Sequence, residues 1–273
     1  MHYQPSTRAA QTVISIDATI AEISRVADHV ESFGRDQRIP TNAVNDMNVA
    51  LDEVVSNIVR HGGETARANP ITIRIGLADD RFFAEVRDQG VPFDPVAHVV
   101  PVPRPDRNRT PGNLGLVFVR ALMNEVRYTR EGPSNVLFIA KTTSGSGPAE
   151  TPPFEIEASR PDAQSAVVAL RGMLVGATHA KLRDQLRALM DSGTRNIVVD
   201  LAGTARIASS GFWVLFAARR RLDELHGRMV LCSLQPVVHT LFEIAGLLPE
   251  FTFAPDRAAA LKVLREQVDP PPS

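Results

Sequence analysis

The segment TTSGSGPAETPP (Thr142–Pro153) does most to limit what this chain can fold into. It is small, polar and rich in Pro and Gly, the composition of a linker. Cutting the 273 residues there leaves segments 1–141 and 154–268, with DPPPS (Asp269–Ser273) as a short tail. Each segment has the length of an ordinary domain, and neither repeats the other. Hydrophobic residues at 44% supply enough material for two cores. Aromatics at only 5% mean that those cores are built from Val, Leu, Ile and Ala.

Composition also excludes several function classes. Lys and Arg number 30 against 31 Asp and Glu, a net charge of −1 with no basic excess for direct nucleic-acid binding. The single cysteine, Cys232, excludes an intrachain disulfide and a Cys-based zinc site, and the 7 histidines lack metal-ligand spacing. No apolar run approaches the roughly 18–20 residues of a membrane span. The N-terminal MHYQPSTRAAQT lacks the apolar core of a signal peptide. A cytoplasmic protein with no membrane partner is expected.

Hydrophobic periodicity places the elements. In the first segment Thr12–Ile16 alternates as a strand, and a helix runs over Ala18–Phe33. Thr41 reads as the N-cap of a second helix, whose core face carries Val44, Met47, Leu51, Val54, Val55 and Ile58. Gly62-Gly63 stops it. Ile71–Leu77 and Arg81–Arg87 read as a hairpin turning at Asp79-Asp80. The stretch Asp88–Pro111 holds six prolines, and an irregular loop of that length inside a domain is usually functional. A helix over Leu114–Asn124 and strands Val126–Thr129 and Val136–Lys141 complete the segment. The second segment opens with strands Phe154–Ser159 and Ala166–Arg171 and a helix over Ala177–Asp191. Asn196–Leu201 reads as a strand covered on both faces. Helices Ser209–Leu225, Pro236–Gly246 and Pro255–Gln267 and the strand Met229–Ser233 follow. Both segments are α/β.

Three motifs in the first segment carry polar chemistry. Glu53-x-x-x-Asn57 sets a carboxylate and an amide on one side of the second helix, opposite the apolar stripe and beside Arg60 and His61. Such a pair could hold Mg²⁺, which takes oxygen ligands, although the spacing alone is more often a solvated helix face. Asp88-x-Gly90-x-Pro92 follows a strand; its carboxylate can accept from an amino group, or the motif is an ordinary turn. Gly112-x-x-Gly115 opens a helix, whose exposed N–H groups and dipole favour phosphate; it also reads as a flexible helix start. There is no G-x-x-x-x-G-K-[ST], so a P-loop is excluded.

The order of these motifs resembles the ATP-binding domain shared by gyrase, histidine kinases and MutL, the GHKL or Bergerat-type α/β sandwich. Within that superfamily ALDEVVSNIVRHGG (Ala50–Gly63), VRDQGVPFDP (Val86–Pro95) and GNLGLVFVRALMNEVRY (Gly112–Tyr128) look most like the anti-sigma factor serine kinases of bacterial stress-response switches. The resemblance spans nearly all of residues 10–141. It implies ATP and Mg²⁺ as ligands. Asn57 would ligate the Mg²⁺ bridging the phosphates, and Glu53 would orient or deprotonate the attacking hydroxyl. Asp88 would read the adenine amino group, while Gly90, Gly112 and Gly115 let backbone approach the nucleotide. Arg104, Arg107 and Arg109 fall in the implied lid, as γ-phosphate ligands or as solvated loop charges. Pro92 stands where the family has a third glycine. No phospho-accepting histidine helix precedes the domain, which argues against a histidine kinase. Dimerisation through the kinase domain is also implied.

The second segment resembles STAS domains, the fold of anti-sigma factor antagonists: a sheet with packed helices. The matching stretches are LRGMLVGATHAKLRDQL (Leu170–Leu186), DLAGTARIASSGF (Asp200–Phe212) and CSLQPVVHTLFEIAGLLPEF (Cys232–Phe251). Ser209 alone reads as a helix N-cap. The resemblance makes it the candidate phosphoacceptor, with Ser210 beside it, although Ala208 replaces the family's aspartate. Trp213 is a docking anchor or packs its own helix. Together the two halves imply a partner-switching regulator of transcription. Its first domain would use Mg-ATP to phosphorylate a serine of a STAS antagonist, its own or a separate protein's, and would also hold a sigma factor. The alternative is a non-enzymatic pair of interaction modules, with ATP as a conformational ligand and the second domain for docking only.

Overall fold

The computed structural model describes residues 10–94, 114–143 and 152–266. They form two compact units, one on each side of residues 144–151. Gly112, Arg104, Arg107, Arg109 and the tail lie outside the described residues, as does most of the linker.

In the first unit five strands, β1 (Ala10–Ile16), β2 (Ile71–Ala78), β3 (Arg81–Asp88), β4 (Glu125–Glu131) and β5 (Ser134–Thr142), form an antiparallel sheet in the order β1-β2-β3-β5-β4. Register aligns Ile14, Ile73, Val86 and Leu137 across four strands, and all four are buried. The neighbouring row, Arg74, Glu85, Phe138 and Arg127, belongs to the opposite face. There Arg74 pairs with Glu85 at 2.7 Å and Arg127 lies 4.4 Å above the Phe138 ring. Helix α1 (Glu22–Asp36) buries Ile23, Val26, Val30 and Phe33, at the three- and four-residue spacing of one helical face, and stacks Phe33 on Phe82 of β3. It starts later than its periodicity suggests, because turns occupy the chain up to Ala21, with Thr19 N–H donating to Asp17 O and Glu22 N–H to Thr19 O.

Helix α2 (Thr41–His61) departs most from expectation. Pro40, with ψ 135°, is its cap residue, so Thr41 is the first residue of the helix and not its N-cap. Every residue from Ala43 to Ser56 is buried, including Asn45, Asp46, Asn48, Asp52 and Glu53. Glu53 is therefore enclosed, which removes the solvated-face alternative at that residue. Asp46 is matched by Lys141 at 2.8 Å, and Lys141 also donates to Leu122 O. Gly62 and Gly63 do end α2. Gly63, at φ +76°, then starts a short helix, α3 (Gly63–Ala68), which the sequence reading missed. Helix α4 (Leu114–Leu122) buries Leu114, Leu116, Phe118, Val119 and Leu122.

The second unit is a mixed sheet in the order β10-β9-β8-β7-β6. Its strands are β6 (Glu155–Ser159), β7 (Ser165–Leu174), β8 (Asn196–Ile207), β9 (Arg228–Cys232) and β10 (Thr252–Ala254). β7 to β10 are parallel and β6 is antiparallel to β7. Central β8 buries Ile197, Val198, Val199 and Leu201 completely, as a strand covered on both faces does. It runs well past Leu201, because β7 continues to pair with it through two register shifts around Gly172. Four helices connect the strands or close the unit: α5 (His179–Asp191), α6 (Ser209–Glu224), α7 (Pro236–Ile244) and α8 (Arg257–Glu266). β10 and the 3-10 turn Leu248–Glu250 were not read from the sequence.

Cys232 is fully buried at the end of β9, and burial pushes its thiol up to about 11. The thiolate is the reactive form, so native protein at pH 8 should not react with Ellman's reagent. Unfolding in guanidinium should release one equivalent of reactive thiol.

Candidate functional site

The site is assembled around α2. Glu53 is only 2% exposed and lies against the first turn of α4, where a Cβ on Gly115 would stand 2.3 Å from Glu53 Oε2. Asn57, one turn further along α2, is half-buried. At the end of α2, Val91 N–H donates to Gly62 O at 3.0 Å. A Cβ on Gly90 would come within 2.9 Å of Gly62 Cα and of Gly62 O. Only a residue without a side chain lets the loop after β3 press this closely on the helix end. The fold thus brings Glu53 to Gly115, and the Asp88–Val91 loop to the end of the helix that carries Glu53 and Asn57.

Asp88 ends β3 and is buried. Its Oδ1 accepts from Gly90 N–H at 2.7 Å and from Asn135 Nδ2 at 2.9 Å, which fixes the carboxylate plane and leaves Oδ2 outside these two bonds. Asn135 is a buried hub. Its Nδ2 also donates to Val91 O at 3.2 Å, and its Oδ1 accepts from Tyr128 Oη at 2.8 Å and Arg130 Nη1 at 2.7 Å. Arg130 Nη1 reaches Gly90 O as well. Asn135, Arg130 and Tyr128 were missed by the sequence motifs. Strand register could have found the first of them, since Asp88 and Asn135 are direct cross-strand partners.

Among the described residues no group of three or more His, Cys, Asp and Glu could hold a metal ion. A cation beside Asn57 would therefore lean mainly on ligand phosphates. That suits Mg²⁺, which commonly binds through one or two protein oxygens plus substrate phosphates.

In the second unit Ser209 is the first residue of α6 and is 7% exposed. It is not the N-cap. Ala208 takes that place, with φ −86° and ψ 169°, and its carbonyl accepts from Gly211 and Phe212 N–H. No side chain caps this helix. Ala208 N–H donates to Leu174 O, and a Cβ on Gly211 would stand 2.6 Å from Leu174 Cγ, so the helix start is held closely on β7. Ser210 Oγ is enclosed without a protein hydrogen-bond partner. Trp213 is half-buried and meets Phe216 of its own helix edge-on, with ring centroids 5.7 Å apart.

Comparison with known proteins matches residues 16–141 to the histidine kinase-like ATPase domain and residues 156–260 to the STAS domain. BtrV of Bordetella bronchiseptica, named for an anti-sigma factor antagonist, is 36% identical over 94 residues, 34% of this chain and 81% of BtrV. The chain belongs to the STAS family of anti-sigma factor antagonists. It joins that antagonist domain to a histidine kinase-like ATPase domain, the architecture of a partner-switching anti-sigma system. The serine-protein kinases RsbW of Bacillus licheniformis and Bacillus subtilis are each 30% identical over 90 residues, 31% of this chain. The matched part spans just over half of those kinases, 56% of their length. Among the described residues, no helix is long and apolar enough to cross a membrane.

The Asn135 hub makes a prediction for the ATPase domain. Asn135→Ala strips partners from Asp88, the Val91 carbonyl, Tyr128 and Arg130 at once. Buried polar groups left unpaired are costly, so unfolding of this unit should become easier by about 2–4 kcal/mol. If Asp88 reads the nucleotide, as the resemblance implies, ATP affinity should also fall about tenfold as Asp88 loosens. Denaturation followed by circular dichroism and titration calorimetry read the two effects.

Proposed function

We propose that the chain is a partner-switching regulator of bacterial transcription whose N-terminal domain is an ATP-dependent serine kinase acting on a STAS antagonist. The supporting observation is that α2 meets both glycine motifs: Glu53 at Gly115, and the helix end at Gly90. In this reading Asp88, held through Oδ1, accepts from the adenine amino group. Gly90 and Gly112 border the nucleotide, and Gly115 faces Glu53. Bound Mg²⁺, held by Asn57, neutralises charge on the phosphates. Glu53 takes the proton of the attacking serine hydroxyl as its oxygen bonds to the γ-phosphorus, and the bond from that phosphorus to the bridging oxygen breaks, releasing ADP. Positioning and charge neutralisation supply most of the rate. The same domain sequesters a sigma factor when the antagonist is phosphorylated and leaves. The protein acts in the cytoplasm, as a homodimer through the kinase domain.

The start of α6 favours a particular version of this reading. Ser209 is 7% exposed, its cap residue is alanine, and the helix start is pinned on β7. A serine so placed is a poor acceptor. These features support a C-terminal domain that docks, with the phosphorylated serine on a separate antagonist. Intact-mass analysis of the full chain after incubation with Mg-ATP tests this. The docking version expects no phosphate on the chain alone and one on an added antagonist. One phosphate on the chain, absent in Ser209→Ala and in Glu53→Ala, would instead make it a self-contained switch.

A further inference from the structure

We propose that Gly115 is a positioning residue for Glu53, and that the bare first turn of α4 is the seat that aims the Glu53 carboxylate. The proposal rests on the reading of Glu53 as the base. A Cβ on Gly115 would lie 2.3 Å from Glu53 Oε2, 3.0 Å from Cδ and 3.4 Å from Cβ. The three nearest atoms thus belong to one side chain, which lies along the glycine. Glu53 is 2% exposed, so a displaced carboxylate has no open solvent to swing into. Nor can α4 easily retreat, because Leu114, Leu116, Phe118, Val119 and Leu122 anchor it in the core. The far end of a flexible side chain yields before a helix anchored in this way. A methyl at position 115 would therefore re-aim the carboxylate and keep the fold.

Gly90 differs. Its missing Cβ faces the backbone of Gly62 at 2.9 Å, so a side chain there would displace main chain. The two glycines, which share a motif-level role as close approaches to the nucleotide, are thereby separated. Gly90 lets one backbone approach another, and Gly115 seats a carboxylate.

The experiment uses full-length Gly115→Ala, Glu53→Ala and the double variant. Three quantities are read: ATP affinity by calorimetry, consumption of the γ-phosphate in the presence of an added STAS antagonist, and the thermal midpoint without nucleotide. The seat predicts that Gly115→Ala binds ATP within about threefold of wild type. Its γ-phosphate consumption falls about 100-fold, the scale of a misplacement near 1 Å. The seat also predicts coupling in the thermal midpoint. Gly115→Ala lowers it when Glu53 is present and raises it in the Glu53→Ala background, where alanine is simply the better helix former. A tenfold or larger loss of ATP affinity in Gly115→Ala would assign the glycine to the nucleotide instead. Equal midpoint shifts in the two backgrounds would overturn the seat outright. If Glu53→Ala consumes ATP at the wild-type rate, the base assignment fails, and the midpoint coupling still decides the seat.

Discussion

Glu53→Ala should leave ATP bound and stop phosphate transfer. A positioned general base contributes typically about 10²–10⁴-fold, so transfer should fall by that factor while ATP affinity stays near wild type. The burial of Glu53 argues for this separation. At 2% exposure against Gly115, the carboxylate is held at one place by packing. In the proposed function, removing it takes away the base and leaves the Asp88 hub untouched. Glu53→Gln keeps the shape and loses only the basicity, so it should fall with Glu53→Ala. If Glu53→Gln retained full transfer, Glu53 would be a packing residue.

Asp88→Asn should have the opposite signature, with ATP affinity lost at the binding step. Oδ1 of Asp88 already accepts from Gly90 N–H and Asn135 Nδ2. An asparagine must keep its oxygen on that side to satisfy the two donors. Its amide NH₂ then points where Oδ2 was, and a donor faces the adenine amino group, also a donor. A mismatch of this kind in a buried site should weaken ATP binding at least about 100-fold. The fold should survive, since both internal bonds are kept. Calorimetry with ATP, and with a nucleotide whose base lacks the amino group, reads the effect. The wild-type preference for adenine should disappear in the variant. Unchanged affinity would remove Asp88 from the base-reading role.

Much of this architecture was legible because apolar periodicity is a local property. The hairpin of β2 and β3, the apolar face of α1 and the buried strand β8 all follow from side-chain spacing. The enclosed polar residues of α2 did not. For Glu53 and Asn57 a solvated face was one of two readings, and Asn45, Asp46, Asn48 and Asp52 drew no reading, since only tertiary packing covers these residues. The cap at α6 was misread for a related reason. Ser209 is a good capping residue, yet Ala208 takes the extended conformation because its N–H is tied to Leu174 O on β7. The hub at Asn135 depends on sheet register, which a motif search does not consult. The short α3 and β10 carry too few residues for a periodic signal.

In the proposed function, the site around α2 moves phosphate from ATP to a serine of a STAS antagonist. The most direct measurement mixes the full chain and Mg-ATP, radiolabelled at the γ-phosphate, with a STAS antagonist purified from the same cell, and follows label on protein. Label is expected on a serine of an antagonist domain with the wild-type chain, and none with Glu53→Ala or Asp88→Asn. ATP that binds the wild-type chain with Asp88-dependent affinity, yet never labels the chain or any antagonist supplied, would contradict it. Such a result would leave ATP as a conformational ligand of a two-module docking protein.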